Sequence, residues 1–277
     1  VDAKMDDLSK EFEDLVPLFY ADAGVWEGYT IREHNRLVSG QLNEQRQHYD
    51  LSSLNAPPNT DLDEVLETVI PLHDIGKPLA ISAGEIKRQH EFTLPILREK
   101  LQRLGFSENE IKVAEALVGH DILGDLARGL TTQERAVNDL TTFANRAGMS
   151  VEDFYELQVL YYVSDATSYP TVRGRFFTRL PDGRLVPSNS EFQKVDGVLR
   201  SKRITAESRS CSVCFNVGGA IAGLSIACPC PGSKVAGVVD DGLAKVDGPS
   251  GARADDASTS RISADDDFDD VEIPTDR

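Results

Sequence analysis

The chain has 277 residues, of which 40% are hydrophobic, and its formal net charge is −17 at pH 7. This length permits one large domain or two small ones, and the negative charge repels polyphosphate backbones, so extended nucleic acid is not an expected partner. No apolar run approaches the roughly 20 residues that span a bilayer. The acidic, amphipathic N-terminal segment lacks the features of a secretion signal. We therefore expect a cytoplasmic protein with no membrane partner.

The N-terminal part of the chain has the apolar spacing of helices. Residues 5–24 form an amphipathic segment in which Pro17 predicts a kink or break. Thr30 is followed three residues later by Glu33, which is the pattern of a capping box. This pattern predicts the start of a second helix, and that helix carries His34.

Residues 61–73 form the next predicted helix, with a His-Asp dipeptide at its C-terminal end and Gly76 as its stop signal. Four further helices are predicted at similar apolar spacing, over residues 85–104, 107–120, 131–147 and 150–165. The first of these carries His90, the second ends at His120 and the last reaches Asp165. Each of these polar residues thus lies on or beside a helix.

The C-terminal part changes character. Residues 171–187 predict a β-hairpin around a Pro-Asp-Gly turn, and residues 191–203 predict a short final helix. Beyond them the composition shifts to Gly, Ala, Ser and Asp, and the terminal run of acidic residues is typical of a solvated tail. We predict an all-α domain over residues 1–205 with a small β-hairpin insertion, followed by a disordered, low-complexity acidic tail over residues 206–277.

All four cysteines lie in the predicted tail, as the pairs Cys211/Cys214 and Cys228/Cys230. The second pair has one intervening residue, whereas structural zinc sites favour two to four residues between paired cysteines. Disulfides are not expected in a cytoplasmic protein. The cysteines therefore do not favour a zinc site, and the role of the tail is left open.

Four of the five histidines and two aspartates form the constellation with the clearest chemistry. A His-Asp doublet offers an imidazole nitrogen beside a carboxylate that can bridge two cations. This donor set suits Mn, Fe, Co, Ni or Zn, with Mg at an oxygen-rich position. The candidate metal ligands are His34, His73, Asp74, His90, His120 and Asp165.

The chain resembles the HD superfamily of metal-dependent phosphohydrolases in five segments: REHNR around His34, LHDIGKP at 72–78, RQHEF around His90, VGHDILGD around His120 and VSDATSY around Asp165. The stretch from Leu72 to Gly129 is also similar to the HD domain of bacterial tRNA nucleotidyltransferases, although no nucleotidyltransferase head is present. The resemblance covers roughly residues 25–170. It implies an HD-domain-like helical bundle, and the two additional histidines match the subgroup that binds two metals.

The resemblance implies two divalent metal ions, of Mn, Fe, Co, Ni or Mg. The first would be bound by His34, His73, Asp74 and Asp165. The second would share the bridging carboxylate of Asp74 and would add His90 and His120. A water or hydroxide between the ions would be the nucleophile, because two cations lower its pKa and neutralise charge on the phosphoryl oxygens.

Two further residues have implied catalytic roles beside Asp74. Lys77 would contact a phosphate oxygen of the substrate, although a surface lysine near a helix end is the alternative. Asp121 would act as an auxiliary acid or base, or would orient a ligand imidazole. His90 and His120 also have an alternative, as hydrogen-bonded core histidines.

The implied activity is phosphohydrolysis by metal-bound hydroxide, as a phosphodiesterase or phosphomonoesterase. The implied partner is a small phosphorylated substrate, such as a nucleotide or another small phosphate ester. Two alternatives stand beside this interpretation, an HD-fold diiron oxygenase and a non-catalytic ligand-binding HD protein. The sequence does not indicate an oligomeric state.

Overall fold

The computed structural model describes residues 2–25 and 27–210, which are mostly helical with a small two-stranded hairpin. The helices are α1 (Asp2–Glu11), α2 (Val16–Phe19), α3 (Ile31–Arg46), α4 (Leu62–Val69), α5 (Lys77–Ser82), α6 (Gln89–Arg103), α7 (Glu108–Val118), α8 (Ile122–Ala127), α9 (Gln133–Ala147), α10 (Val151–Ala166), α11 (Pro170–Phe176) and α12 (Ser190–Ser210). Short 3-10 helices lie at Glu13–Leu15, Leu51–Ser53, Ile70–Leu72 and Ile86–Arg88. The strands are β1 (Phe177–Arg179) and β2 (Leu185–Pro187).

The predicted class, helical with a hairpin insertion, is confirmed at this level. The last helix continues to Ser210, past the predicted domain boundary at residue 205. The cysteine pairs and the rest of the predicted tail, residues 211–277, lie outside the described residues. Within the described residues, no helix is both long enough and apolar enough to cross a membrane.

Three predicted helix starts are confirmed by their side-chain caps. Thr30 accepts a hydrogen bond from the backbone N–H of Glu33, and the Glu33 carboxylate accepts one from the Thr30 N–H in return. Ser107 and Glu110 form the same reciprocal capping box at the start of α7. Ser150 caps α10 through its hydroxyl oxygen, which accepts a hydrogen bond from the backbone N–H of Asp153.

Two predicted helices, over residues 5–24 and 61–73, are interrupted. In both cases a short helix with proline in its first turn follows the interruption. The first break falls at Phe12, and Pro17 lies in the first turn of α2, where its missing N–H has no helical partner to lose. The helix predicted over residues 61–73 ends at Val69, and Pro71 lies in the 3-10 turn that follows. His73 therefore lies beyond the helix.

The centre of the fold is α10, which packs against α3, α9 and α12. Residues 153–160 of α10 are all buried, so the helix contacts neighbours on every side. His34 lies in the first turn of α3, and Asp165 lies in the last turn of α10. The packing of these two central helices brings both residues to one point.

The hairpin packs beside this centre. β1 and β2 pair antiparallel, with Thr178 opposite Val186, and β2 is buried against α10. Arg173 of α11 and Arg179 of β1 both bind the carboxylate of Glu44 on α3. The segment after α10 is therefore tied by ion pairs to the helix that carries His34.

Candidate metal centre

The local chain path holds His73 in a defined orientation. The 3-10 turn Ile70–Leu72 places the carbonyl oxygen of Ile70 where the Nδ1–H of His73 donates to it, at 2.6 Å. The opposite ring nitrogen, Nε2, is buried and has no hydrogen-bond partner. A backbone carbonyl bonded to one imidazole nitrogen, with the other nitrogen left for a cation, is the usual arrangement of a metal-binding histidine.

Gly76 has a different role from the predicted helix stop, because it precedes α5 and touches α6. A Cβ atom at Gly76 would lie 2.3 Å from the backbone nitrogen of Thr93. The Gly76 N–H donates to the Thr93 hydroxyl at 3.2 Å. The glycine thus permits a close approach between the turn that follows the His-Asp doublet and the backbone of α6.

The structure brings together four of the predicted ligands, His34, His73, Asp74 and Asp165, which we call the first-metal cluster. His34, His73 and Asp74 each offer a ligand atom, and these atoms all lie within 4.8 Å of one another. Oδ1 of Asp165 lies 3.1 Å from Nε2 of His34 and 3.6 Å from Nε2 of His73. Oδ2 of Asp74 lies 3.5 Å and 3.8 Å from the same two nitrogens.

Several polar atoms of this cluster are buried without a hydrogen bond. They are Nδ1 and Nε2 of His34, Nε2 of His73 and Oδ1 of Asp165. Buried polar atoms in folded proteins are nearly always paired, because an unpaired one retains its full desolvation penalty. A divalent cation among these nitrogens and carboxylates would pair with three of the four atoms, so this donor set fits a metal ion.

The ionisation of the cluster reflects its opposed charges. Burial disfavours a charged imidazole, but the carboxylates of Asp74 and Asp165 outweigh it and raise the pKa of His73 to about 9. Burial also disfavours the Asp74 carboxylate, yet Lys77 and the two imidazoles outweigh it and lower the pKa of Asp74. At Asp165 burial is likewise outweighed, by the imidazoles of His34 and His73, and the pKa of this carboxyl lies far below its usual range. The carboxylates therefore stay ionised and attract a cation.

Lys77 lies at the same cluster. Its Nζ is 3.6 Å from Oδ2 of Asp74, and its side chain is only 14% exposed. This low exposure does not fit the alternative that Lys77 is a surface lysine. Its contact with a substrate phosphate remains a prediction.

Two tyrosines that the sequence reasoning did not select enclose the imidazoles. The ring of Tyr169 stacks on His34, with centroids 5.1 Å apart and planes inclined by 24°. Tyr161 meets His73 edge-on at 6.0 Å. The available signal was their spacing, because each tyrosine lies four residues from Asp165 in the chain.

His90 and His120 form a separate pair. Their ring centroids are 6.4 Å apart, and Nε2 of His120 lies 3.3 Å from Oδ2 of Asp125. Both are only partly buried, so neither is a fully enclosed core histidine. Among the described residues, the ligand atoms that all lie within 4.8 Å of one another belong to His34, His73 and Asp74 and do not include this pair.

Asp121 serves as the N-cap of α8. Its Oδ1 accepts a hydrogen bond from the N–H of Gly124, and its Oδ2 accepts one from Arg128, both at 3.0 Å. Both carboxylate oxygens thus have partners within their own segment. The acid–base role expected of Asp121 remains a prediction.

Comparisons with protein-family profiles, curated proteins and solved structures give no match to this chain. A functional conclusion therefore depends on the site itself. The structure supplies a buried His-His-Asp group that is able to hold a metal ion.

Proposed function

We propose that this protein is a metal-dependent phosphohydrolase of the HD type, which cleaves phosphomonoesters or phosphodiesters in nucleotides or other small phosphate esters. One observation carries the proposal. Both ring nitrogens of His34 and the Nε2 atom of His73 are buried without a hydrogen-bond partner, and the two Nε2 atoms face the carboxylates of Asp74 and Asp165. Such a group is unfavourable in a protein that binds no cation, which argues against a purely structural or scaffold role.

Bound divalent ions supply two effects at such a site, a lowered pKa for a coordinated water and neutralisation of charge on the phosphoryl oxygens. The protein residues do the rest. His73 is oriented by its hydrogen bond to the Ile70 carbonyl, and Asp74 keeps its negative charge through its contacts with Lys77 and both imidazoles. These contacts hold the ligand set in place before a substrate arrives.

The substrate class follows from charge. Asp74 and Asp165 contribute two negative charges, and Lys77 contributes a positive charge at the edge of the cluster. With a divalent ion added, the local balance becomes positive although the whole chain is strongly acidic. A small phosphate ester is attracted to this local field, whereas a long polyphosphate meets the negative surface around it.

The route to the cluster is indicated by Asp165. Its side chain is 35% exposed, compared with 9% for Asp74 and 1% for His34. Solvent therefore reaches the ligand set from the Asp165 side, at the C-terminal end of α10. We place the substrate phosphate on this side, within reach of the Lys77 ammonium.

We propose that His90 and His120, together with Asp74, would hold a second, more weakly bound metal ion. The two rings already lie near each other in an edge-on contact, His90 in the N-terminal turn of α6 and His120 just after α7. The contact of Gly76 with Thr93 packs the turn after Asp74 against α6 three residues from His90. Both rings are partly exposed, so a second ion could reach them from solvent.

The test is a hydrolysis assay on protein stripped of metal and reloaded separately with Mn²⁺, Mg²⁺, Co²⁺, Ni²⁺ or Fe²⁺. The substrates are nucleoside monophosphates, cyclic nucleotides and nitrophenyl phosphate mono- and diesters. We expect at least one metal to support turnover, and we expect Asp74→Ala to abolish it. The matched control is Asp63→Ala, because Asp63 is a partly exposed partner of Arg46 outside the cluster.

Two results would show the proposal to be wrong. One is undiminished hydrolysis by the Asp74→Ala variant. The other is an absence of hydrolysis with every metal, together with oxygen consumption by the iron-loaded protein, which would favour oxygenase chemistry.

A further inference from the structure

The two histidines of the first-metal cluster are held in different ways. His73 donates its Nδ1–H to the Ile70 carbonyl oxygen. His34 is completely buried, and neither of its ring nitrogens has a hydrogen-bond partner. Metal-binding histidines are usually oriented by a hydrogen bond from the nitrogen that does not bind the metal. His34 lacks this bond, so a different contact has to set the plane of its ring.

The ring of Tyr169 supplies such a contact. It lies nearly parallel to the His34 imidazole, with centroids 5.1 Å apart and an interplanar angle of 24°. The torsion that turns an imidazole about its Cβ–Cγ bond has a broad, shallow preference, so an unsupported ring has considerable freedom. A flat side chain against one face of the imidazole restricts that rotation.

Tyr169 is itself well anchored. It is the N-cap of α11, and its carbonyl oxygen accepts hydrogen bonds from the N–H groups of Val172 and Arg173, each at 3.1 Å. Pro170 follows directly and restricts the local backbone. Since Arg173 also binds Glu44 on α3, the segment that presents the tyrosine is fixed to the helix that presents His34.

We propose that Tyr169 is a positioning residue for His34: its ring face holds the imidazole plane so that Nε2 points toward the carboxylates of Asp74 and Asp165. This inference rests on the metal site of the proposed function and adds to it the residue that sets one ligand's orientation. The flat ring, and not the hydroxyl group, performs the role. An aromatic ring without the hydroxyl should therefore replace the tyrosine.

The experiment titrates metal-free protein with Co²⁺ and records both the dissociation constant and the visible absorption of the bound ion. The variants are Tyr169→Phe, Tyr169→Leu and Tyr162→Leu. Tyr162 is the matched control, because it is a tyrosine near the C-terminal end of α10, seven residues before Tyr169 in the chain, and its ring packs against Phe177, with centroids 6.1 Å apart. The absorption spectrum reports the coordination geometry, which a general loss of stability does not change.

We expect Tyr169→Phe to keep the wild-type affinity and spectrum. Tyr169→Leu should weaken Co²⁺ binding about tenfold, as loss of a supporting contact to a metal ligand typically does, and should alter the spectrum. Tyr162→Leu should lower the thermal midpoint but leave affinity and spectrum unchanged. If Tyr169→Leu does not fold, Tyr169→Met, which restores volume without a flat ring, is read in the same way.

Three results would overturn the proposal while leaving the metal site intact. They are wild-type binding by Tyr169→Leu, a loss in Tyr169→Phe as large as that in Tyr169→Leu, and an equal loss in Tyr162→Leu. A wild-type protein that binds no Co²⁺ would instead remove the metal site itself, and this proposal with it. The two kinds of failure are thus separated by the wild-type titration alone.

Discussion

The two histidine pairs of this protein lie in contrasting surroundings. The side chains of His34 and His73 are 1% and 2% exposed and lie against two carboxylates. His120 is 40% exposed and has one carboxylate contact, at Asp125. At His73 burial is outweighed by the neighbouring carboxylates, which raise its pKa to about 9, whereas burial, with added repulsion from His120 and Arg88, lowers the pKa of His90. One pair is thus poised to attract a cation, and the other has little electrostatic pull of its own.

This contrast indicates an order of metal binding. The inner pair, His34 and His73, is buried beside the carboxylates of Asp74 and Asp165, so we expect it to take up the first ion. The outer pair, His90 and His120, is connected to the first-metal cluster through the packing of α6 on the turn that follows Asp74. We therefore expect it to respond to a second ion and not to create a strong site alone.

The largest effect is expected from Asp74→Ala, which removes the negative charge shared by Lys77 and the inner imidazoles. Breaking one partner of a buried charge pair typically costs about 3–5 kcal/mol, because the remaining charge is left uncompensated. Urea unfolding of the metal-free protein should show a loss of about 3 kcal/mol in the free energy of unfolding. First-ion binding should also be lost. Unchanged stability would mean that Asp74 is not the centre of this charge balance.

Gly76→Ala tests whether the turn after the doublet joins the two pairs. The added Cβ would lie 2.3 Å from the Thr93 backbone, and a clash with backbone in a packed region costs about 1–3 kcal/mol. We expect a loss of about 2 kcal/mol in the free energy of unfolding and a weaker second ion. The matched control is Gly40→Ala in α3, where nothing lies within 4 Å of the new Cβ. It should stabilise the helix by about 0.5–1 kcal/mol, and a similar loss in both variants would contradict this reasoning.

The pH dependence of first-ion binding sharpens the electrostatic side of the comparison. A metal ion binds a neutral imidazole, so the proton that His73 carries below about pH 9 has to leave. The association constant for Mn²⁺ should therefore rise by about tenfold per pH unit between pH 7 and 8 and level off near pH 9. Titration calorimetry at pH 6, 7, 8 and 9 measures this. A plateau already near pH 7 would mean that the carboxylates do not hold a proton on the ring.

The smallest effect on the first ion is expected from His120→Ala. The first-metal cluster keeps all four of its residues in this variant, so the affinity for the first ion should change by less than about twofold. The number of ions bound per chain should fall from two to one, as measured by elemental analysis after equilibrium dialysis. A large loss of the first ion would place His120 in the inner cluster.

Much of the helical framework follows from local chemistry in the sequence. The capping boxes at Thr30 and Ser107 fix helix starts through contacts only three residues apart, so a short pattern predicts them well. The predicted end at His73 was wrong, because Pro71 redirects the chain into a 3-10 turn before the doublet. Interruptions of this kind depend on packing as well as on spacing.

The four residues of the first-metal cluster were predicted from the resemblance of their segments to a known family, and the packing of α3 on α10 and on the Ile70–Leu72 turn brings them together. Other contacts between separate segments were not predicted. The approach of Gly76 to Thr93 and the stacking of Tyr169 on His34 join residues far apart in the chain, and neither residue type alone indicates them. The cap formed by Asp121 is local, but the resemblance favoured a catalytic interpretation of the same carboxylate.

The ion pairs of two arginines with Glu44 affect how rigid the candidate metal centre is without a metal. Arg173 and Arg179 fasten the chain that leaves Asp165 to the helix that begins beside His34. These links add to the packing of α3 on α10, which holds His34 and Asp165 near each other without a metal. We therefore expect the distance between His34 and Asp165 to stay nearly unchanged when a bound ion dissociates. Another ion could then bind without a rearrangement of the helices.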